Sequence, residues 1–284
     1  MTAHAPDPPP QLERLQTAFR TDHRSDDPAA DLEALVFVLD AQESQPCFER
    51  LRDWAMERLA PQPGETGVDV GCGTGTVVRA LAERVGTQGR ALGVEPNAAL
   101  RGVAAGRADG LVPTPEFVDG DAYALPFGDA TVDVVHCERV WQHLADPARA
   151  AAEVARVLRP GGRAAVLDSD WGTMLVEPAD PDVVLRVNRA FWDANPNPFA
   201  GRRLRALLRG AGLEVDADVG SSAYVLPEEM TRTGAMLAMG VQRALRAGTI
   251  TAEEGEMLVS GLAAASDAGT AFMSVTMFAV VARR

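Results

Sequence analysis

The sequence predicts an α/β protein with a doubly wound, mostly parallel sheet. Short apolar runs alternate with helical patterns from about residue 66 onward, which is typical of such sheets. A cluster of glycines follows the first of these runs, where a strand turns sharply into a helix. The 284 residues, 46% hydrophobic and 24% charged, are enough for one large globular domain with additions.

The N-terminal segment is predicted to be a tail followed by helices. Residues 1–10 are rich in proline and indicate a flexible tail. Apolar side chains recur at helical spacing over residues 32–39, and a second helix is expected after Pro46. We therefore expect residues 1–60 to form a flexible tail and a helical cap, and residues 61–284 to form the main domain.

The main domain is predicted to alternate strands and helices. The predicted strands are Val68–Val70, Ala91–Val94, Glu116–Val118, Val132–His136, Arg163–Leu167, Leu213–Val219 and Ala271–Val281. The predicted helices are Thr76–Val85, Asn97–Ala108, Ala148–Leu158, one within Asp182–Ala194, and Arg202–Ala211. Asp146 and Pro147 form a helix-start signal, an N-cap followed by proline at the first helical position. A helical stretch at about 224–268 lies between the last two predicted strands and is expected to be a lid insertion, which either moves over the site or serves as a static wall or dimer surface.

Composition excludes several classes of function. The net charge of −13 and the pI of about 4.8 disfavour nucleic acid and anionic membranes as partners. All 27 basic residues are arginine, so chemistry that needs a lysine, such as a Schiff base or a P-loop, is impossible. The three cysteines lack CxxC spacing, and no metal-ligand pattern occurs, so we expect no metal. Without a secretory-signal or membrane-spanning pattern, a cytoplasmic location is expected.

The glycine cluster follows the first predicted strand as Gly71-Cys72-Gly73-Thr74-Gly75. A helix that begins at such a turn presents free N–H groups to an anionic ligand. The dinucleotide fingerprint G-x-G-x-x-G/A would need glycine or alanine at position 76 or 78, and the sequence has threonine and valine there. The spacing therefore counts against a nicotinamide site.

Acidic residues follow the second and third predicted strands. Glu95 ends the second strand, where a carboxylate can accept hydrogen bonds from both ribose hydroxyls, in nicotinamide and adenosyl sites alike. Asp121 and Ala122 follow the third strand, where a carboxylate beside small neighbours suits an adenine amino group. Together these residues favour an adenosyl ligand.

The run from Gly67 to Asp168 resembles the class I S-adenosylmethionine-dependent methyltransferases, in particular the branch that modifies quinones and small natural products. The resemblance depends on the combination VDVGCGTG, VEP, GDA followed by LPF, and LRPGG. It implies a Rossmann-like seven-stranded sheet in the order 3-2-1-4-5-7-6 with the last strand antiparallel. It also implies S-adenosyl-L-methionine as cofactor and S-adenosyl-L-homocysteine as product.

The site residues expected on this basis fall into three groups. Those expected to bind the cofactor are Asp69, Gly71, Cys72, Gly73, Gly75, Glu95, Pro96, Asp121, Ala122, Glu138 and Arg139. Those expected to act in catalysis are His143, as a base, and Asp168, which would orient the histidine or bind the acceptor. Those expected to line an apolar substrate pocket are Trp141, Trp171, Phe191 and Trp192.

The sequence thus predicts a methyltransferase acting on an oxygen or nitrogen of a small, largely apolar natural product, in the setting of secondary metabolite biosynthesis. The alternatives are a C-methyltransferase of quinone or polyketide type, an NAD-dependent oxidoreductase, and a non-catalytic adenosyl-binding protein. The expected partner is a small-molecule acceptor, and the expected state is a monomer or a homodimer.

Overall fold

A computed structural model describes residues 27–233 and 235–284. The predicted tail, residues 1–10, lies outside the described residues. Asp27 caps the first described helix by accepting a hydrogen bond from the backbone N–H of Ala30. None of the helices in the described ranges has the length and apolar character that crossing a bilayer requires.

Seven strands form one sheet in the order β3-β2-β1-β4-β5-β7-β6. The strands are β1 (Thr66–Val70), β2 (Arg90–Val94), β3 (Glu116–Val118), β4 (Val132–Glu138), β5 (Leu158–Glu177), β6 (Glu214–Val225) and β7 (Phe272–Arg283). Neighbouring strands are parallel except that β7 runs antiparallel to both β5 and β6. The predicted fold class, strand order and antiparallel last strand are confirmed.

Helices cover both faces of this sheet. They are α1 (Pro28–Glu43), α2 (Pro46–Leu59), α3 (Thr76–Val85), α4 (Ala98–Arg107), α5 (Pro147–Val157), α6 (Pro181–Trp192), α7 (Ala200–Gly210), α8 (Glu228–Thr233), α9 (Ala235–Arg246) and α10 (Ala252–Asp267). One apolar core joins α2, α3 and the helices between β6 and β7 to one face, and a second joins α5 and α7 to the other. Burial on both faces explains why the central strands are nearly continuous apolar runs.

Strand β5 is much longer than the predicted Arg163–Leu167. Its pairing with β7 shifts register between Asp170 and Leu175 and then continues to Glu177. From the sequence alone, the segment between Asp170 and Leu175 resembles a loop, because irregular positions in a strand and true turns both favour small and polar residues. The extension carries Trp171 and its neighbours beyond the edge of the parallel sheet.

Three helices, α8 to α10, occupy the chain between β6 and β7, inside the range predicted for the lid. Gly240 of α9 packs so closely on α6 that an added Cβ atom would lie 2.8 Å from Cγ1 of Val187. Glu254 of α10 forms an ion pair with Arg186 of α6, with 2.7 Å between the nitrogen and the oxygen. These contacts attach the inserted helices to the helix that follows β5.

Candidate active site

The glycine loop between β1 and α3 has a backbone that only glycine adopts readily. Gly71, Gly73 and Gly75 have φ values of 72°, 51° and 83°, all in the left-handed region. The backbone N–H of Gly71 donates to the carbonyl of Val94 at 2.8 Å, which ties the loop to β2. A Cβ atom at Gly71 would lie 2.3 Å from Cγ2 of Val140, so this position has no room for a side chain.

Glu95 lies at the end of β2, directly beside this loop. Its side chain is almost fully enclosed, and its two carboxylate oxygens accept from the backbone N–H groups of Gly73 at 3.1 Å and Asn97 at 3.0 Å. Burial raises the pKa of Glu95, and these backbone hydrogen bonds oppose the rise. A carboxylate has about four acceptor positions, so the remaining ones are free for two ribose hydroxyls.

The residues expected around the adenine lie at the loop after β3. Oδ1 of Asp121 accepts from the backbone N–H groups of Tyr123 at 2.7 Å and Ala124 at 3.0 Å, which closes a tight turn. Ala122 is buried, whereas Asp121 and Pro96 are exposed. The structure therefore brings Glu95, Pro96 and this turn to the carboxyl ends of neighbouring strands, the edge where such sheets bind ligands.

Charged side chains are enclosed at the ends of β1 and β4. Across the two strands, Oδ1 of Asp69 lies 2.9 Å from Nδ1 of His136, within hydrogen-bond distance, and both side chains are buried. Burial raises the pKa of Asp69 although His136 opposes the rise. Glu138 lies 3.3 Å from Nε of Arg52 and 3.2 Å from Nε of Arg139. The result is a mixed acidic and basic group beside the glycine loop.

Arg139 combines a strained backbone with several contacts. Its φ of 57° is in the left-handed region, which is uncommon for a residue with a long side chain and is found at functional sites. Its guanidinium lies 4.9 Å from the ring centroid of Phe48 on α2 and donates to the side chain of Gln42 on α1. Arg139 thus joins β4 to both N-terminal helices.

The turn after β4 separates two residues that the sequence placed together. Trp141 is fully buried in the core on the α5 and α7 side, whereas Trp171 packs on the core of the opposite face. The structure thus places Trp141 in a core and not beside Trp171, with which the sequence analysis grouped it. The residues between Val140 and Leu144 form a 3-10 turn, which directs this side chain away from the cofactor edge.

Gln142 links several parts of the site and was missed from the sequence. Its side-chain oxygen accepts from Nε1 of Trp171 at 2.8 Å, and its backbone N–H donates to Oδ2 of Asp168 at 3.1 Å. Its Nε2 donates to the carbonyl of Arg139 at 3.3 Å. No local pattern reveals this role, because every partner except Arg139 is distant in the sequence.

The other aromatic residues expected in the pocket lie together. Trp171 and Phe191 stack edge to face with 5.1 Å between ring centroids, and Trp192 and Phe199 do so at 5.2 Å. Nε1 of Trp192 donates to the carbonyl of Trp171 at 3.2 Å. These four rings form one wall next to Gln142.

The two expected catalytic residues have different surroundings. His143 is exposed to solvent, but the protein around it limits its hydration and, with the charge of Arg139, lowers the pKa of the imidazole to about 4. Asp168 is fully buried and accepts from the backbone N–H groups of Ser169 at 2.8 Å and of Gln142. Burial raises the pKa of Asp168 to about 7, against these hydrogen bonds. Asp168 is therefore placed to hold the turn that carries His143.

The thiol of Cys72 is buried beneath the loop. Burial, followed by the charges of Asp69 and Glu95, raises its pKa, so it stays protonated and acts as a small packing residue. In the ranges that the structure covers, no three His, Cys, Asp or Glu side chains are grouped so as to hold a metal ion.

The raised pKa of Asp168 predicts a pH-dependent stability. A carboxyl whose pKa is about 3.8 in the unfolded chain and about 7 in the fold binds its proton more tightly when folded. Its contribution is therefore present below about pH 4 and is lost as the pH rises through 7, by roughly 4 kcal/mol in total. Asp168→Asn cannot titrate. In urea titrations, we expect wild type to lose stability relative to this variant between pH 5 and pH 8. A difference in unfolding free energy that stays constant over this range would contradict the assignment.

Comparison with known proteins agrees with this geometry. Residues 68–166 match a family profile described as a methyltransferase domain. The chain is 34% identical over 229 residues, 80% of its length, to an uncharacterized 37.1 kDa protein in transposon TN4556 of Streptomyces fradiae, covering 65% of that protein. It is 38% identical over 135 residues, 43% of its length, to a 2-phytyl-1,4-naphtoquinone methyltransferase of Thermosynechococcus vestitus, covering 60% of that protein. The chain thus spans less than two thirds of the length of these curated relatives.

Among solved structures, the chain resembles a geranyl diphosphate methyltransferase in complex with S-adenosylmethionine. The TM-score is 0.51 at 18% identity, and the match covers 93% of each chain. At this identity the likeness shows the fold alone.

The sheet order, the glycine loop and Glu95 define the class I methyltransferase fold. With the matched profile and the quinone methyltransferases among its relatives, the chain resembles the class I S-adenosylmethionine-dependent methyltransferases, whose methyl-donating cofactor is S-adenosylmethionine. The described residues fit this cofactor. The loop leaves no room for a Cβ atom at Gly71, and Oε1 of Glu138 is buried without a hydrogen-bond partner among the described residues.

Proposed function

We propose that the protein transfers a methyl group from S-adenosylmethionine to an oxygen or nitrogen of a small, largely apolar natural product. The observation that carries the proposal is the glycine loop with Glu95 at the end of β2, in a sheet of the methyltransferase order. The cofactor supplies a methyl group already activated on a positively charged sulfur. The protein's main task is then to align the acceptor, and alignment alone can supply about 7–11 kcal/mol of the barrier.

The charges of the site support a cationic donor. Asp69, Glu95 and Glu138 are enclosed next to the glycine loop, and Arg52 and Arg139 lie against Glu138. Carboxylates suit the ammonium and sulfonium groups of the donor, and guanidinium groups suit its carboxylate. Asp69, Glu138 and Arg139 are therefore the proposed contacts of the methionine end, and Glu95, Pro96, Asp121 and Ala122 those of the nucleoside.

The acceptor side is proposed to be the wall formed by Trp171, Phe191 and Trp192. An apolar wall with a few polar groups is what small-molecule sites have in common. His143 is neutral at pH 7 and is the proposed base, with Asp168 positioning its turn. A base with so low a pKa is weak, so the proposal favours acceptors that lose their proton readily.

Three alternatives remain, because one fold hosts many activities: a C-methyltransferase, an NAD-dependent oxidoreductase and a non-catalytic adenosyl-binding protein. The quinone methyltransferase relative supports the C-methyltransferase alternative, since its name places its activity on a naphthoquinone. The loop spacing and the turn after β3 count against an NAD-dependent oxidoreductase. A cytoplasmic location, a setting in secondary metabolism and a monomer or homodimer without nucleic acid or membrane partners are part of the proposal.

Thermal melts with S-adenosylhomocysteine, S-adenosylmethionine and NAD⁺ test the donor. At a concentration of about 100 times its Kd, a ligand stabilises the fold by about 2.7 kcal/mol, which raises Tm by about 5 °C or more in a chain of this size. We expect this rise with the two adenosyl ligands and none with NAD⁺. Methyl transfer to a panel of phenols and amines, followed by mass spectrometry, then tests turnover. A rise with NAD⁺ alone would favour the NAD-dependent oxidoreductase. Donor binding without any methyl transfer would favour the non-catalytic adenosyl-binding protein.

A further inference from the structure

The last turn of α1 lies on the glycine loop, outside the stretch that matches the methyltransferase profile. The carboxylate of Glu43 accepts from the hydroxyl of Thr74 at 3.1 Å and from that of Thr76, the first residue of α3. The side chain of Leu39 covers Gly73 from the same helix, because a Cβ atom there would lie 3.4 Å from Cδ1 of the leucine. Glu43 is therefore held at the loop by two neutral donors.

The position of α1 depends mainly on polar contacts. Leu35 is its one fully buried residue. Asp40 pairs with Arg107 of α4 through two hydrogen bonds of 2.7 Å, and Gln42 accepts from Arg139. These contacts direct the end of α1, and Glu43 with it, towards the glycine loop.

Two cations lie near Glu43 but bind its neighbours: Arg79 donates to the hydroxyl of Thr76 at 3.0 Å, and Arg107 pairs with Asp40. Burial is the main cause of the raised pKa of Asp69, and the negative charges of Glu138 and Glu43 add to it. Asp69 has His136 as its partner, and Glu138 has two arginines. Among the described residues, the ion pairs include none for Glu43. Oε1 of Glu138, on a side chain only 8% exposed, accepts no hydrogen bond in this part of the chain, and its contact there is the ion pair with Nε of Arg139 at 3.2 Å.

We propose that Glu43 is a further donor-binding residue, whose carboxylate accepts hydrogen bonds from the ammonium group at the methionine end of S-adenosylmethionine. The assignment rests on the proposed function. It makes the N-terminal helical cap part of the donor site, although the core of the family profile begins at residue 68. A charge-assisted hydrogen bond of this kind, in a mostly enclosed region, is worth about 1.5–3 kcal/mol.

Calorimetric titration with two ligands tests this role. S-adenosylhomocysteine carries the amino-acid group, whereas 5′-methylthioadenosine has the same nucleoside and thioether without it. We expect Glu43→Gln to weaken binding of S-adenosylhomocysteine by about 10-fold or more and to leave the Kd of methylthioadenosine within about twofold. Glu43→Asp keeps the charge and is expected to recover part of the loss. The matched control is Glu33→Gln, which removes the same charge from an exposed position on α1 and leaves both affinities unchanged.

The outcomes separate three cases. An equal loss for both ligands would show that Glu43 only holds the loop threonines, and would overturn the assignment. An unchanged affinity for S-adenosylhomocysteine would overturn it as well. If wild-type protein binds neither ligand, the proposed function itself fails. This outcome is distinct from failure of the Glu43 assignment, which is seen only when wild type binds and the variant is compared with it.

Discussion

Replacing Glu95 with alanine is expected to weaken the binding of S-adenosylhomocysteine by about 100-fold or more, because two hydrogen bonds from ribose hydroxyls to a charged acceptor are worth about 3 kcal/mol or more together. The effect is large because the carboxylate is enclosed and already ordered by the backbone N–H groups of Gly73 and Asn97. The ligand therefore meets an acceptor that needs no rearrangement. Isothermal titration calorimetry measures the change directly.

The control for this variant is Glu116→Ala on the neighbouring strand. Glu116 forms an exposed ion pair with Arg90, at 2.9 Å, and such pairs contribute little. We expect its affinity for S-adenosylhomocysteine to equal that of wild type. If Glu95→Ala binds the ligand as well as wild type does, the ribose does not lie at the end of β2, and the assignment of the nucleoside contacts has to be abandoned.

Gly71→Ala is expected to lower the free energy of unfolding by about 2 to 5 kcal/mol and to abolish donor binding. The left-handed backbone costs about 1–2 kcal/mol for a residue with a Cβ atom. The clash with Cγ2 of Val140, at 2.3 Å, adds the cost of overpacking, about 1–3 kcal/mol. Val140 belongs to the turn after β4, so relief of the clash also displaces the neighbouring Arg139.

Gly110→Ala separates the two contributions. Gly110 has a φ of 74°, close to that of Gly71, but a Cβ atom there would meet nothing within 4 Å. We expect this variant to lose only the backbone part, about 1–2 kcal/mol, and to bind the donor normally. Urea denaturation gives both values. Equal losses in the two variants would mean that Val140 moves aside without cost.

The parts of the fold that were predicted well are those whose signals are local. Strand β3 and helix α3 have the predicted limits, Glu116–Val118 and Thr76–Val85, because glycine, proline and apolar spacing mark both ends. The spacing of the glycine loop and the place of Glu95 were likewise readable, since a strand end and a turn fix them.

The parts that were missed depend on long-range packing. Trp141 is an aromatic residue next to the predicted site, and the 3-10 turn that contains it places its side chain in the core. The extension of β5 exists because β7, about one hundred residues later, pairs with it. Gln142 and Glu43 meet their main partners, such as Trp171 and Thr74, across folded elements. No periodicity records such contacts.

Helix α1 also bears on how quickly a ligand can leave the glycine loop. Its end covers the loop that the proposed donor occupies, and ion pairs and hydrogen bonds hold it there rather than apolar burial. With the donor in the proposed site, release of spent cofactor would require this segment to unfold locally or move aside, and product release could then limit the rate. Because the pair between Asp40 and Arg107 is partly exposed, dissolved salt screens it. The ionic strength of the surroundings would thus regulate the pace of catalysis without touching the reacting atoms.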